Sequence, residues 1–287
     1  MQPPDQAFEG ALAELGVELD SGDRARLGDY LALLYRENEV MNLTRVPVEQ
    51  AWMRHIFDSL TPVPWLASLA EEVGGPLKVL DVGSGGGLPG IPMAVALASI
   101  APGSTVTLLE TTAKKAAFLR RAVEALRLEG VSVDAQRAET AAHDRGRHRE
   151  QHDVVVSRAV GAMPVLVELT LPFVRPGGMA IYIKGERAEA EVEEARFVIG
   201  HLGGAVAELR QTPTGTLVRL SKNARTPRTF PRLPGEPARR PLLGPGRRAP
   251  RSASSPAKAP SIERRGHAAP RAKAPRGRRP PGGRARG

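Results

Sequence analysis

The sequence predicts an α/β fold: a doubly wound, mostly parallel sheet of seven strands, preceded by a helical extension. Three observations carry this. From residue 78 onward, short apolar runs of strand length alternate with helical stretches, the pattern of a parallel sheet with helices on its faces. The first run, Val79-Leu80-Asp81-Val82, opens directly into Gly83-Ser84-Gly85-Gly86-Gly87-Leu88-Pro89-Gly90, a glycine turn followed by a helix that Pro89 or Pro92 can start. The last two runs, 205–210 and 216–220, are joined through Pro213-Thr214-Gly215 with no helix between them, so an antiparallel hairpin closes the sheet.

Residues 6–19 and 22–36 place Leu12, Leu15 and Leu19, then Leu27, Leu31 and Leu34, at helical spacing. A third helix carries Trp52, Ile56 and Leu60 on one face and halts before Pro62 and Pro64. The strands are 78–82, 105–110, 131–135, 153–157 and 179–184, before the final pair. Helices are expected at 114–128, with Phe118, Leu119, Val123 and Leu126 apolar and Gly130 beyond the end, at 163–174 and at 186–202. The expected organisation is an N-terminal cap (1–72), a core (73–222) and a basic tail (223–287).

Composition narrows the chemistry. The chain of 287 residues has no cysteine, which excludes disulfides, thiolate-bound metal and thiolate nucleophiles, and no metal is expected. It has no run of about eighteen apolar residues, and Asp5 and Glu9 lie where a signal peptide needs a basic start. A soluble, cytoplasmic protein without membrane attachment is therefore expected. Residues 222–287 hold 19 Lys and Arg against Glu236 and Glu263, and 13 of the 26 prolines, whereas residues 1–221 hold 22 basic and 29 acidic side chains. A segment of this composition cannot bury enough apolar surface to order itself, and it suits the phosphates of a nucleic acid.

The glycine loop alone is ambiguous, because Gly85-x-Gly87-x-x-Gly90 also fits a dinucleotide fingerprint. Glu110, at the tip of the second strand, could accept the ribose hydroxyls of any adenosine cofactor lacking a 2′-phosphate, so it does not choose between the two. Asp81 favours one of them. An acid two residues before the first glycine attracts a cofactor with a cationic amino-acid end and repels a diphosphate, which points to S-adenosylmethionine in a Rossmann-like class I methyltransferase fold. Arg158 leaves the end of the fourth strand, at the carboxyl edge of the sheet, where ligands bind in this architecture. Arg137 and Lys184 sit at the same edge.

Further motifs make the reading specific. Asn42-Leu43-Thr44, Arg54-His55-Ile56-Phe57-Asp58-Ser59-Leu60, Leu88-Pro89-Gly90-Ile91-Pro92, Ser157-Arg158-Ala159, Lys184-Gly185 and Phe230-Pro231-Arg232-x-Pro234-Gly235 follow one another over residues 6–243. In this the chain resembles the glucose-inhibited division protein B family, bacterial methyltransferases that modify guanine N7 in 16S ribosomal RNA. The resemblance implies cofactor contacts at Gly83, Leu88, Glu110, Ala138, Glu139 and Arg158, with Asp81 and Gly85 in the same loop and Glu139 facing the adenine amino group. It also implies a part for His55, which on its own reads as a structural histidine beside Trp52 and Ile56. Arg137, Arg158, Lys184 and His55 are the candidates for positioning RNA or guanine. The pattern is left beyond about Leu243.

Guanine N7 has a lone pair and no proton to lose, so methylation there needs alignment and electrostatics more than a general base. The sequence has Ser157-Arg158-Ala159-Val160 where amino-group methyltransferases carry an Asn/Asp-Pro-Pro-aromatic tetrapeptide, and the lack of cysteine excludes cytosine C5 chemistry. The expected partners are 16S ribosomal RNA or the small ribosomal subunit. The alternative is a methyltransferase acting on another RNA base or on a protein.

Overall fold

In a computed structural model, residues 3–158 and 161–245 are described. The family-like Ser157-Arg158-Ala159 motif is thus seen through Arg158, and the basic tail from residue 246 onward lies outside the described residues.

All seven strands are present: β1 (Lys78–Val82), β2 (Thr105–Leu109), β3 (Val131–Asp134), β4 (His152–Arg158), β5 (Val174–Lys184), β6 (Gly204–Thr212) and β7 (Gly215–Lys222). Their order is β3-β2-β1-β4-β5-β7-β6, with β1 to β5 parallel and β7 antiparallel to both of its neighbours. The chain reverses its direction of travel across the sheet between β1 and β4. The carboxyl ends of these two strands therefore define the crevice where ligands bind in such sheets.

The strand period sets two faces. Val79 of β1, Val154 and Val156 of β4, and Ile181 and Ile183 of β5 join one apolar core with α5 (Gly90–Ile100) and α6 (Ala113–Ala125). Leu80, Val82, Val155, Ala180 and Tyr182 join the other, with α7 (Ala138–Ala141), α8 (Met163–Thr170) and α9 (Ala188–His201). Asp81 alternates with Leu80 and Val82, so its side chain belongs to the α5 face.

The N-terminal helices, α1 (Gln6–Leu15) and α2 (Ser21–Met41), close that same face. Phe8, Leu12, Leu27, Leu31 and Leu34 are all buried in the core that contains Val79, each contributing about 1.5–3 kcal/mol. The extension is therefore continuous with the sheet's core. Asp20 accepts the Asp23 amide at 2.7 Å and Asp23 answers through the Asp20 amide, a capping box that starts α2 where the apolar pattern begins. Asn42, first residue of the Asn-Leu-Thr motif, ends α2 at φ 51°, a left-handed position that asparagine tolerates. The third expected helix is a π-helical stretch, Trp52–Phe57, which runs into α3 (Asp58–Leu60) and then α4 (Val63–Val73).

The C-terminal boundary differs from the expectation that a free tail begins at 223. Residues 223–245 lie on the body as a strap that includes α10 (Glu236–Arg239). Arg149 donates to four carbonyls, those of Ala142 (3.2 Å), Thr226 (2.9 Å), Pro227 (3.1 Å) and Phe230 (2.7 Å). Fully buried Glu168 accepts the Arg232 amide, Nε and a terminal guanidinium nitrogen at 2.9, 2.9 and 2.6 Å. Lys222 is buried as well, donating to Leu171 O and to Thr226 Oγ1, and burial lowers its pKa to about 8. Basic residues that composition assigns to a solvated tail are here internal anchors, because fixed carbonyls and a carboxylate replace their water.

Candidate active site

The glycine loop leaves β1 and is fixed from three sides. The Gly83 and Ser84 amides donate to Leu109 O at 2.9 and 3.1 Å, tying the turn to the end of β2. Gly83, Gly85 and Gly87 have φ of 78°, 57° and 97°, the left-handed region in which side chains are strained. A Cβ on Gly90 would lie 2.3 Å from Leu108 Cδ2 and 2.8 Å from Asp81 Oδ2, so only glycine lets α5 approach β1 and β2 this closely. The N-terminal extension supplies the third side: Tyr30 donates to Gly86 O at 2.8 Å, and Leu34 Cδ1 occupies the space that a side chain at Gly86 would need.

Asp81 is completely buried. Its Oδ2 accepts the Gly90 amide at 3.1 Å, capping α5, while Oδ1 has no hydrogen-bond partner among the described residues. Burial pushes its pKa up to about 7, against the hydrogen bond from the Gly90 amide, the adjacent Ser84 hydroxyl, which donates to the Asp81 carbonyl at 3.0 Å, and the nearby Arg158. Glu110 is nearly buried and already engaged, Oε2 accepting the Gly85 amide at 3.0 Å and Oε1 the Thr112 amide at 2.7 Å. It therefore shapes the loop, with lone pairs left over for a ribose. Leu88 is buried beneath the turn. Ala138 and Glu139 are buried at the start of α7, but Glu139 Oε1 accepts the Gly235 amide at 2.8 Å. The carboxylate expected to face adenine is thus engaged with the C-terminal strap, a contact invisible across 96 positions of sequence.

The RNA-positioning candidates divide. His55, Arg158 and Lys184 meet, with Thr44, Asp58 and Thr214, around a cleft of about 280 Å³ beside the carboxyl ends of β4 and β5. Arg137 is exposed at the N-terminus of α7 and is absent from that lining. Arg158 donates to Arg54 O at 3.0 Å and to Asp58 Oδ2 at 3.1 Å, and the other Asp58 oxygen accepts the Thr214 hydroxyl at 2.7 Å. One carboxylate thereby joins the N-terminal extension, β4 and the β6–β7 turn. Lys184 pairs with Glu191 at 2.6 Å. His55 is buried with Nε2 2.8 Å from Thr44 Oγ1, and burial together with Arg158 lowers its pKa to about 4, so it is neutral at pH 7. Sequence reasoning missed Tyr30 and Thr214, which read as ordinary helix and turn residues. Asp58 was carried only as part of its motif.

The strand order, the closing hairpin and a glycine loop at the switch point define a class I S-adenosylmethionine-dependent methyltransferase. The residues present fit that cofactor: a buried aspartate oxygen without a partner suits an ammonium group, and a side chain on Gly85 would meet nothing closer than 3.8 Å, so the backbone there is open to a ligand. A Klebsiella pneumoniae crystal structure provisionally named an O-methyltransferase shares the fold, with a TM-score of 0.50 at 16% identity over 76% of this chain and 97% of that one. Residues 23–215 match the GidB family, described as rRNA small subunit methyltransferase G. Proteins named ribosomal RNA small subunit methyltransferase G from Sorangium cellulosum and Lactiplantibacillus plantarum are 45% and 34% identical, over 79% and 84% of this chain and 92% and 98% of their own lengths. The chain belongs to the GidB family.

Proposed function

We propose that this enzyme methylates N7 of one guanine in 16S ribosomal RNA, acting in the cytoplasm on that RNA or on the small ribosomal subunit. The observation that carries the reading is the cleft at the carboxyl edge, rich in fixed polar groups yet without a poised general base among the described residues. His55 is a weak base with a pKa of about 4, and both oxygens of Asp58 are engaged, by Arg158 and Thr214. A nucleophile that must lose a proton would be poorly served here. Guanine N7 has none to lose.

S-adenosylmethionine supplies a methyl group on a cationic sulfonium. Asp81 would hold the ammonium of its amino-acid end, Glu110 would keep the loop closed while accepting ribose hydroxyls, and the Ala138-Glu139 turn would border the adenine. Arg158, fixed by Asp58, and Lys184 would bind a phosphate or the guanine edge, and His55 would brace the wall through Thr44. The N7 lone pair forms the new bond to carbon as the carbon–sulfur bond breaks and its electron pair goes to sulfur. Alignment supplies most of the rate. Arg137 and the basic residues beyond 245 would add phosphate contacts without reading sequence.

Nucleoside analysis of the methylated RNA tests the chemistry. The expected product is 7-methylguanosine, confirmed by chain cleavage with borohydride and aniline at a single nucleotide. A methyl on an exocyclic amine, a ribose or another base would contradict it.

A further inference from the structure

The opposite edge of the sheet holds a second charged concavity. It lies where β4 and β5 begin and β7 ends, since His152 pairs with Val174 and Met179 with Ser221. Arg145, Arg149, Glu150, Arg225, Thr226 and Arg228 are among the residues around a cavity of about 470 Å³. Its charge is poorly balanced. Arg149 spends its donors on four neutral carbonyls. Among the described residues no carboxylate lies within 4 Å of Arg145 or Arg228, and Arg225, 85% exposed, reaches Glu150 only at 4.0 Å. Among the described residues Glu150 is the one acid lining the cavity, and it also accepts the Thr226 amide at 2.8 Å and faces buried Lys222 at 3.8 Å. Neighbouring Asp144 turns its carboxylate onto the amides of Gly146 and Arg147.

We propose that this amino-edge cavity is a docking site for the phosphate backbone of the substrate RNA, separate from the cleft that receives the target base. Three exposed guanidiniums on a wall held rigid by Arg149 match phosphate oxygens in charge and in donor geometry. They offer no apolar platform for stacking a base, which assigns them to register and affinity. The seven residues of β4 place the two edges ~20 Å apart, a span that one structured RNA can bridge. A body with 29 acidic and 22 basic side chains in residues 1–221 gains here a local positive surface for a polyanion.

The proposal rests on the ribosomal-RNA reading above, and the test separates the two. In the full chain, Arg145→Ser, Arg225→Ser and Arg228→Ser are combined, leaving Arg149 in place, and compared with wild type and with the triple Lys variant. Expected are a KM for unmodified small subunits raised about 10-fold with kcat preserved, unchanged S-adenosylmethionine affinity and thermal midpoint, and recovery of most of the loss by lysine. Each lost phosphate contact also removes about 0.7–0.9 from the slope of log affinity against log salt. Unchanged KM and salt slope would overturn the docking site. If wild type transfers no methyl to ribosomal RNA, the reading of the catalytic cleft fails instead. Direct binding of the same RNA to wild type and triple variant then still decides the docking site: equal affinity and slope overturn it, and a weaker, less salt-dependent complex supports it.

Discussion

Asp81→Asn is expected to weaken S-adenosylmethionine binding about 100-fold, the scale for truncating one member of a buried charge pair, while leaving the cofactor-free protein at pH 8 at least as stable as wild type. The carboxylate is completely buried, one oxygen caps α5 through Gly90, and the other has no partner among the described residues. Its pKa is raised from 3.8 to about 7, so between those values the folded chain holds a proton that the unfolded chain has released. The stability tied to that proton is fully present below about pH 4 and is lost as pH rises through 7. Thermal unfolding of wild type without cofactor should decline across this window, and the difference from Asp81→Asn should narrow or reverse. Cofactor affinity should move the other way, rising through pH 7 as the carboxylate ionises to meet an ammonium. Calorimetric titration across pH 6–8 measures both, and an asparagine variant that binds as well as wild type would remove Asp81 from the cofactor's site.

Arg232→Ala should be strongly destabilising although it lies outside the cofactor loop, costing about 3–5 kcal/mol. It leaves Glu168, fully buried, without the two guanidinium donors it now receives. For a domain of this size such a loss lowers the thermal midpoint by roughly 10 °C. Replacing both partners together, Glu168→Leu with Arg232→Met, should recover most of it, because an apolar pair carries no unpaired charge. Denaturant unfolding of the three chains distinguishes the cases. A single alanine variant within 1 kcal/mol of wild type would mean that the strap is held elsewhere.

The sheet was legible because its signals are local. Every strand announces itself as an apolar run, and the glycine loop is marked by positions that need positive φ. Errors arose where tertiary context overrides the pattern. Helix α2 continues to Met41 although its last turn offers Glu37, Asn38, Glu39 and exposed Val40, so apolar periodicity stops before the helix does. Strand β5 begins at Val174, ahead of Pro176, Gly177 and Gly178, which read as breakers and are absorbed by an irregularity in its pairing with β4. The expected helix over 163–174 correspondingly ends at Thr170 and passes through a 3-10 turn.

For the site, the residue types and their edge of the sheet were readable, but their partners were not. Glu110 holding Gly85, Glu139 holding Gly235, and Asp58 shared by Arg158 and Thr214 each close a loop of 25 to 156 residues, which no spacing rule anticipates. The strap was hidden for the same reason. Lys222 and Arg232 look like the start of a solvated basic tail until Leu171 O and Glu168 are brought to them.

The most direct test is transfer of labelled methyl from S-adenosylmethionine to small ribosomal subunits lacking the modification, by wild type and by Gly83→Asp, whose new side chain meets a backbone at φ 78° in the cofactor loop. Label on a single guanine is expected with wild type and none with the variant. Confirmed cofactor binding by wild type without label on subunits or on free 16S RNA would contradict the ribosomal-RNA reading.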